Sequence, residues 1–376
     1  MSLTRRLGTS RMLVASVAAL AASFAVVAPT AARTEADDPA LQRRLDMIVP
    51  AGAIGVVAEV RTEHGVWRGS SGVAELGTSR KVSTHSRFRA GSVMKTFLAT
   101  VVLQLVAEDR LRLEDSIEEW LPGVVPGGER ISLRQLLAHT SGLFDVVRTF
   151  RLPPDPWFAD NRWRTWTADE LARRGLAERP THAPGSAFAY SNTGYLLISQ
   201  VIERVTGRSY AVEVKRRILE PLHLRHSELP GRSPWIGRPH MRGYIPVRRD
   251  GATRLIDFTV MNPSVFGPPG ELISTTSDLN TFYAALLTGR LLPAHLLEEM
   301  KTPGIAEETY GLGLRWEAKT SCGVPVYGHD GDALAYQTWS FTTEDGHRQA
   351  TVAVTPTSDG DVDDAVAEFI DQAVCD

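Results

Sequence analysis

The sequence predicts an α+β fold in which strands from both ends of the chain form one antiparallel sheet, with a mainly helical region inserted between them. Two β-branched runs, joined by a short turn, lie near the start of the chain and predict a hairpin. Further strand-like runs separated by turns lie near the end. Strands at both ends with helices between them favour a sheet flanked by helices over alternating strand–helix units. The strand-like runs are 53–62, 66–73, 311–316, 324–328, 336–342 and 349–356.

The region between the strands carries clear helical signals. Residues 93–107 are nearly all apolar or small and contain no Gly or Pro, which predicts a helix buried on most sides. Ser132 begins a short helix as its N-cap, and Gly207 ends another. By contrast, 150–166 and 230–251 are interpreted as irregular, the first as a loop bordering a cleft. The predicted helices are 93–107, 132–139, 195–205, 276–287 and the closing helix 363–373.

The first 32 residues are typical of an export signal. Three Arg residues precede or begin an uncharged, Ala- and Val-rich run, and small residues follow at Thr30-Ala31-Ala32. The run is short for a membrane span, and no other stretch could form one. We therefore expect a secreted, extracellular protein without a stable membrane anchor, although an uncleaved anchor is the alternative.

Length and charge narrow the remaining classes. The 344 residues after the signal exceed one typical core, which predicts two domains, a discontinuous α/β domain (33–90 and 270–376) and a mainly helical one (91–269). Removing three Arg leaves 38 basic against 44 acidic residues, a net charge of −6, which gives no support to a nucleic-acid partner. Cys322 and Cys375 are the only cysteines, and in an oxidising compartment they are expected to form one disulfide.

Ser92 and Lys95 are the strongest candidates for chemistry. Their spacing of three places a hydroxyl and an amine on one face of a helix, at its first turn, where free N–H groups favour an oxyanion. A serine needs a base to become a nucleophile, and a Lys in a partly dry cleft can have its pKa lowered enough to serve. The chain has only five Lys, so about 0.3 such S-x-x-K patterns are expected by chance.

Tyr190 and Asn192 form a second candidate, in Tyr190-Ser191-Asn192. A Tyr can shuttle a proton when nearby cations depress its pKa, and an Asn can hold a substrate amide. A third candidate is His329-Asp330-Gly331, where Gly331 lets a ligand backbone approach closely. The charge of His329 is expected to change near neutral pH. Taken alone, each of these patterns is better explained by a structural role, and the case for a site depends on their occurring together.

Other site signals are weaker or missing. Arg315 can hold a substrate carboxylate or form a structural ion pair. The chain has no G-x-S-x-G elbow, no P-loop, no dinucleotide fingerprint and no H-E-x-x-H pattern. His223 and His226 have no further ligand nearby, so no metal site and no cofactor are predicted.

The boxes S-x-x-K, Y-x-N and His-x-Gly, in this order, resemble those of penicillin-recognising serine enzymes. The resemblance is widest to soluble actinomycete D-alanyl-D-alanine carboxypeptidases of the class C β-lactamase family, from about residue 40 onward. That family implies a five-stranded antiparallel sheet flanked by helices, with an inserted helical domain. The matching segments are 87–95, 136–143, 190–193, 310–315, 321–323 and 326–329, and the two cysteines match that enzyme's one disulfide.

The resemblance also implies residue roles. Ser92 would be acylated, Lys95 and Tyr190 would share the proton transfers, and Asn192 would hold the acyl-side amide. His329 takes the place of the usual Lys or His of the third box. The backbone N–H groups of Ser92 and Asp332 would form the oxyanion hole, and Arg315 would bind the terminal carboxylate of a peptide.

The sequence departs from that carboxypeptidase at two positions. It has Asp330 and Asp332 where the enzyme has Thr, and these carboxylates would repel a substrate carboxylate. The expected function is D-alanyl-D-alanine carboxypeptidase- or transpeptidase-like, on small or peptidoglycan-like D-aminoacyl peptides, with β-lactams as further ligands, by a monomer. The alternatives are an esterase, an amidase or transacylase, a class C-like β-lactamase, and a non-enzymatic β-lactam sensor. Asp330 and Asp332 favour a neutral or cationic leaving group.

Overall fold

The computed structural model describes residues 37–306, 308–317, 320–358 and 360–376. The predicted signal, 1–32, lies outside the described residues. Within them, no helix has both the length and the apolar character needed to cross a bilayer. The strands are β1 Ala53–Thr62, β2 Gly65–Gly72, β3 Phe88–Arg89, β4 Tyr244–Arg249, β5 Ala252–Asp257, β6 Ile273–Ser274, β7 Arg315–Glu317, β8 Val326–Asp332, β9 Gln337–Thr343 and β10 Gln349–Pro356. The helices are α1 Pro39–Ile48, α2 Met94–Ala107, α3 Ile117–Trp120, α4 Leu133–Leu137, α5 Trp157–Asp160, α6 Ala168–Leu176, α7 Asn192–Thr206, α8 Tyr210–Val214, α9 Thr276–Leu287, α10 Ala294–Lys301 and α11 Asp363–Cys375.

The main sheet joins both ends of the chain, and the predicted α+β fold is confirmed. Its strand order is β2-β1-β10-β9-β8-β7, and every neighbouring pair is antiparallel. The sheet has six strands among the described residues, where the resemblance implied five. The sixth is the three-residue strand β7, which pairs only with the first half of β8. The second half of β8 is therefore open on that side.

Both faces of the sheet are covered by helices. On one face, α1 and α11 bury Leu45, Ile48 and Phe369 completely against β10. On the other face, α9 is tied down by Asn280, whose Nδ2 donates to the carbonyl oxygen of Glu59 at 3.0 Å. The predicted disulfide between Cys322 and Cys375 is present and links the segment before β8 to the end of α11. The sheet is thus a fixed platform for β8.

Helix α2 is buried along almost its whole length, as the apolar run predicts. Every side chain from Met94 to Leu103 is buried, and the ring of Phe97 stacks on that of Phe282 with centroids 3.7 Å apart. A single 3₁₀ turn, Gly91–Val93, precedes the helix. A helix packed on all sides holds the residues of its first turn in fixed positions.

The prediction for 230–251 was wrong in part. Its second half forms β4, which pairs with β5 in a hairpin closed by Asp250-Gly251. Both turn residues have positive φ, 51° and 78°, a conformation that Asp-Gly adopts readily in two-residue hairpin turns. The arginines around this dipeptide are exposed, and their charge concealed the alternation of buried Ile245 and Val247. The predicted division into two domains stays a prediction.

Candidate active site

Two glycines bring the turn before α2 against the end of β8. Gly91 has φ +54°, and a Cβ added to it would lie 2.6 Å from the carbonyl oxygen of Asp332. A Cβ on Gly331 would lie 2.0 Å from the carbonyl oxygen of Ala90 and 3.0 Å from the nitrogen of Ser92. Real Cβ atoms do not approach backbone this closely, so neither position accepts a side chain. The backbone of Ser92 and that of Asp332 are therefore neighbours.

The side chains of Ser92, Lys95 and Asn192 form one hydrogen-bonded cluster. The Nζ of Lys95 is 2.8 Å from the Oγ of Ser92 and 2.8 Å from the Oδ1 of Asn192. The carbonyl oxygen of Pro269 is a third neighbour, at 3.4 Å. Asn192 begins α7, three residues earlier than the sequence predicted. Two helix N-termini, those of α2 and α7, thus meet at the amine of Lys95.

Lys95 is fully buried, which changes its chemistry. Burial is the largest effect on its pKa, and it lowers the pKa from 10.5 to about 7. The nearby charges of Asp145 and Asp330 act in the opposite direction and limit the shift. At neutral pH a large fraction of the amine is unprotonated and in hydrogen-bond reach of the hydroxyl of Ser92. This is the arrangement that a general base requires.

Tyr190 lies beside the same cluster, and burial dominates its pKa. The Nζ of Lys95 is 4.9 Å from the centroid of its ring, and its hydroxyl hydrogen-bonds to Ser92. Burial raises the pKa of Tyr190 well above 10, and the hydrogen bond to Ser92 offsets only part of this. The condition under which cations depress the pKa of a Tyr is therefore not met at Tyr190. Tyr190 keeps its proton at neutral pH and is suited to donate it.

His329 is buried on the interior side of β8 instead of facing the open cleft. Its Nε2 is 2.9 Å from the hydroxyl of Tyr310, and its Nδ1 contacts the carbonyl oxygen of Asp330. Burial lowers the pKa of His329 to about 4, despite the nearby carboxylate of Asp330. The expected change of charge near neutral pH was therefore wrong, because His329 is uncharged between pH 5 and 8.

Arg315 and the two aspartates lie at the end of β8 that β7 leaves open. An Nη of Arg315 is 2.6 Å from the Oδ1 of Asp330, and both side chains remain more than a third exposed. Burial acts to raise the pKa of Asp330, but the charge and the hydrogen bond of Arg315 help to lower it below its ordinary value, so Asp330 is ionised at neutral pH. The side chain of Asp332 is turned back, where its Oδ1 accepts from the backbone N–H of Leu334 at 2.6 Å. The sequence predicted that Arg315 either holds a substrate carboxylate or forms a structural ion pair, and the structure has the ion pair with Asp330.

Asp145 is a residue that the sequence did not single out. Its Oδ1 accepts from the backbone N–H and from the Nδ2 of Asn192, both at 3.0 Å, and from the N–H of Val147 at 3.2 Å. Among the described residues, its Oδ2 makes no hydrogen bond or ion pair. Asp145 therefore fixes Asn192 and keeps one carboxylate oxygen available. Its place three residues beyond Gly142 carries no pattern that would have revealed it.

His139 is a second residue that sequence reasoning left without a role. Its Nδ1 accepts from the backbone N–H of Ser191 at 3.1 Å, and its ring packs against that of Tyr190 with centroids 4.1 Å apart and planes tilted by 35°. It is fully buried, and φ at His139 is +57°. His139 thus holds the loop that carries Tyr190 and Asn192. The segment 136–143, which carries part of the family resemblance, was the available signal.

A cavity of about 620 Å³ opens in front of Ser92. Tyr190, Asn192 and Asp145 lie on its wall together with Ser92, and Asp332 lies on the opposite rim. The remaining wall is largely apolar and includes part of the 150–166 segment, as the sequence predicted for that loop. The apolar lining residues are Val146, Val147, Phe150, Leu152, Pro153, Phe158, Leu171, Leu196, Pro246, Val265, Phe266, Pro269 and Leu334.

Comparison with known proteins gives a family and several relatives. The family model described as Beta-lactamase matches residues 45–374. Penicillin-binding protein 4* of Bacillus subtilis (strain 168) is 30% identical over 269 residues, which are 67% of this chain and 56% of that protein. The chain thus spans little more than half the length of this relative.

Two solved structures are similar over most of their length. A D-stereospecific amidohydrolase from Streptomyces sp. is 37% identical with a TM-score of 0.81, over 90% of this chain and 99% of that one. The D-amino acid amidase from Ochrobactrum anthropi SV3, in a complex with L-phenylalanine, is 25% identical with a TM-score of 0.77. This second match covers 89% of this chain and 97% of the amidase.

Proposed function

This chain belongs to the beta-lactamase family, and from that premise we propose that it is a serine hydrolase that forms an acyl-Ser92 intermediate from D-amino acid amides and short D-aminoacyl peptides. The observation that carries the substrate class is the carboxylate of Asp145. Its Oδ1 is used by Asn192, its Oδ2 is available, and the residue lines the same cavity as Ser92. A carboxylate at this place is suited to the α-ammonium group of an unblocked amino acid.

The cavity supports the same substrate class. A volume of about 620 Å³ and an apolar wall accommodate a bulky apolar side chain. The two amidohydrolase structures support a D-amino acid amide as substrate, since both cover nearly the whole chain. On the other side of Ser92, the carboxylates of Asp330 and Asp332 favour a leaving group without negative charge. This is why we propose an amide or amidated peptide ahead of a C-terminal carboxylate.

The proposed reaction uses the protonation states described above. The neutral amine of Lys95 takes the proton of the Ser92 hydroxyl while its Oγ attacks the substrate carbonyl carbon. The N–H groups of Ser92 and Asp332 stabilise the oxyanion that forms, which is worth about 3–4 kcal/mol per donor. The hydroxyl of Tyr190 donates a proton to the leaving nitrogen and recovers one through Lys95. Water then attacks the carbonyl carbon of the acyl-Ser92 ester while Lys95 takes its proton; the bond from that carbon to the Oγ of Ser92 breaks, Lys95 returns the proton to the Oγ, and the free acid is released.

The test compares three amides in the wild-type protein and in one variant. We expect wild-type protein to hydrolyse D-phenylalanine amide with a higher kcat/KM than N-acetyl-D-phenylalanine amide or L-phenylalanine amide. Asp145→Asn preserves the hydrogen bonds to Asn192 but removes the charge. It should lower kcat/KM for the free amine about 10- to 100-fold more than for the N-acetyl compound, the range for a hydrogen bond to a charged group.

Three outcomes would reject this proposal in favour of a named alternative. An equal loss for both substrates would mean that Asp145 only positions Asn192. Faster release of D-alanine from D-Ala-D-Ala peptides than of ammonia from the amide would favour a carboxypeptidase. Stable acylation by a penicillin, without turnover of any amide or ester, would favour a β-lactam sensor. Mass spectrometry of the intact protein reports the acylated residue in each case.

Export from the cell and a monomeric state are part of the same proposal.

A further inference from the structure

The ion pair between Arg315 and Asp330 occupies a second cavity next to the catalytic cleft. This cavity, of about 490 Å³, is lined by Arg315, Asp330, Gly331, Asp332 and Gln337, with residues of α11 on its far side. Asp332 and Gln337 line the cleft of Ser92 as well. The cavity of the ion pair therefore adjoins the cleft of Ser92 along Asp332 and Gln337, and a leaving group bound on this side of Ser92 would extend toward the pair.

The register of the sheet holds the two charges together. Arg315 is directly opposite Gly328 in the β7–β8 pair, and Asp330 is two residues further along β8. Opposed residues, and residues two apart on a strand, project from the same face of a sheet. The 2.6 Å contact between Arg315 and Asp330 is thus imposed by the backbone, unlike most ion pairs between exposed side chains.

Arg315 already binds a carboxylate, which is that of Asp330. A guanidinium group binds a carboxylate in a fork-like geometry, whether that carboxylate belongs to the chain or to a ligand. Both side chains are more than a third exposed, so solvent and a substrate can reach this pair. Asp330 thus resembles a tethered copy of the terminal carboxylate of a peptide.

We propose that Asp330 is a specificity-determining residue, which occupies Arg315 in place of a substrate carboxylate and so selects leaving groups without a negative charge. This inference rests on the proposed function and deepens it. Simple charge repulsion between Asp330 and a substrate carboxylate would lead to a different result. Removing Asp330 should improve binding of a carboxylate only while Arg315 is present, whereas removal of any nearby negative charge would relieve repulsion.

The test uses two peptides with one acyl group, D-Phe-D-Ala and D-Phe-D-Ala amide, which differ only in the terminal charge. The quantity measured is the kcat/KM of the acid divided by that of the amide. In Asp330→Thr we expect this ratio to rise about 10- to 100-fold, the range for a charge-assisted hydrogen bond. In Asp330→Thr/Arg315→Ala, the ratio should return to within about threefold of the wild-type value.

Asp363→Asn is the matched control. Asp363 is an exposed carboxylate in the first turn of α11, it lines the same cavity, and it feels the charges of both Arg315 and Asp330. Its replacement should change the ratio less than about threefold. The proposal is overturned if Asp363→Asn gives the same gain as Asp330→Thr, if the gain survives loss of Arg315, or if no gain occurs.

Two further measurements keep the inference separate from other failures. Asp330→Asn has nearly the shape of the native residue and replaces Asp330→Thr if the latter does not fold, with a gain in the same direction expected. If wild-type protein hydrolyses neither peptide, the proposed function fails. The inference is then tested by the rate at which benzylpenicillin acylates Ser92, relative to its neutral methyl ester. A rise of this ratio in Asp330→Thr supports the role of Asp330, and an unchanged ratio rejects it.

Discussion

Replacing Lys95 by methionine should nearly abolish acylation of Ser92 while it leaves the fold intact. The Nζ of Lys95 is 2.8 Å from the Oγ of Ser92. Among the described side chains, Tyr190 also makes a hydrogen bond to Ser92, but Tyr190 is protonated and cannot act as the base. Loss of a general base costs about 10²–10⁴-fold in rate. Methionine is similar in volume and carries no charge into the buried site, so the variant should unfold at a temperature no lower than the wild type.

The pH dependence of kcat/KM in the wild type also tests whether Lys95 is the general base. The pKa of Lys95 is lowered to about 7, and the base acts only when it is deprotonated. The kcat/KM for an activated D-phenylalanine ester or anilide should therefore rise about tenfold per pH unit below pH 7 and level off above it. His329, whose pKa is lowered to about 4, should add no further step between pH 5 and 8.

The assay is stopped-flow measurement of the acylation rate between pH 5 and 9 for wild type, Lys95→Met and Lys81→Met. Lys81 is exposed, so its replacement should leave both the rate and the profile unchanged. The reasoning is refuted if Lys95→Met retains the wild-type rate, or if its residual activity still rises through pH 7. Either result would assign the proton transfer to another group.

Three further predictions concern the neighbours of this pair. Tyr190→Phe should lower kcat by about 10²-fold or more, because the hydroxyl that donates to the leaving nitrogen is lost, and an unchanged kcat would show that another group donates. Gly331→Ala should slow acylation by at least about 10²-fold, because the added Cβ would lie 2.0 Å from the carbonyl oxygen of Ala90 and would push the two oxyanion donors apart. Acylation at the wild-type rate would mean that β8 is not held against the turn before α2. Cys322→Ser/Cys375→Ser, which opens a loop of 53 residues, should lower the free energy of unfolding in urea by about 4 kcal/mol, and a loss below about 1 kcal/mol would contradict the chain-entropy account.

The sequence by itself determined the fold class and the composition of the reactive cluster. An apolar run with no Gly or Pro can bury its helix on every side, which is why α2 was predicted within one residue at its start. Ser92 and Lys95 are three residues apart on the chain, so local geometry alone brings their side chains together. The pairing of Cys322 with Cys375 followed from there being only two cysteines in the chain.

The tertiary structure decided everything that depends on groups distant in sequence. Asp145 and Asn192 are 47 residues apart, and only the packing of the loop before α7 brings the carboxylate to the amide. The pKa values of Lys95, Tyr190 and His329 depend on burial, which no short motif records, and for His329 the sequence suggested the wrong behaviour. In the same way, the sequence left Arg315 with two possible partners. The register of β7 on β8 gives it Asp330, because pairing between strands fixes which side chains share a face.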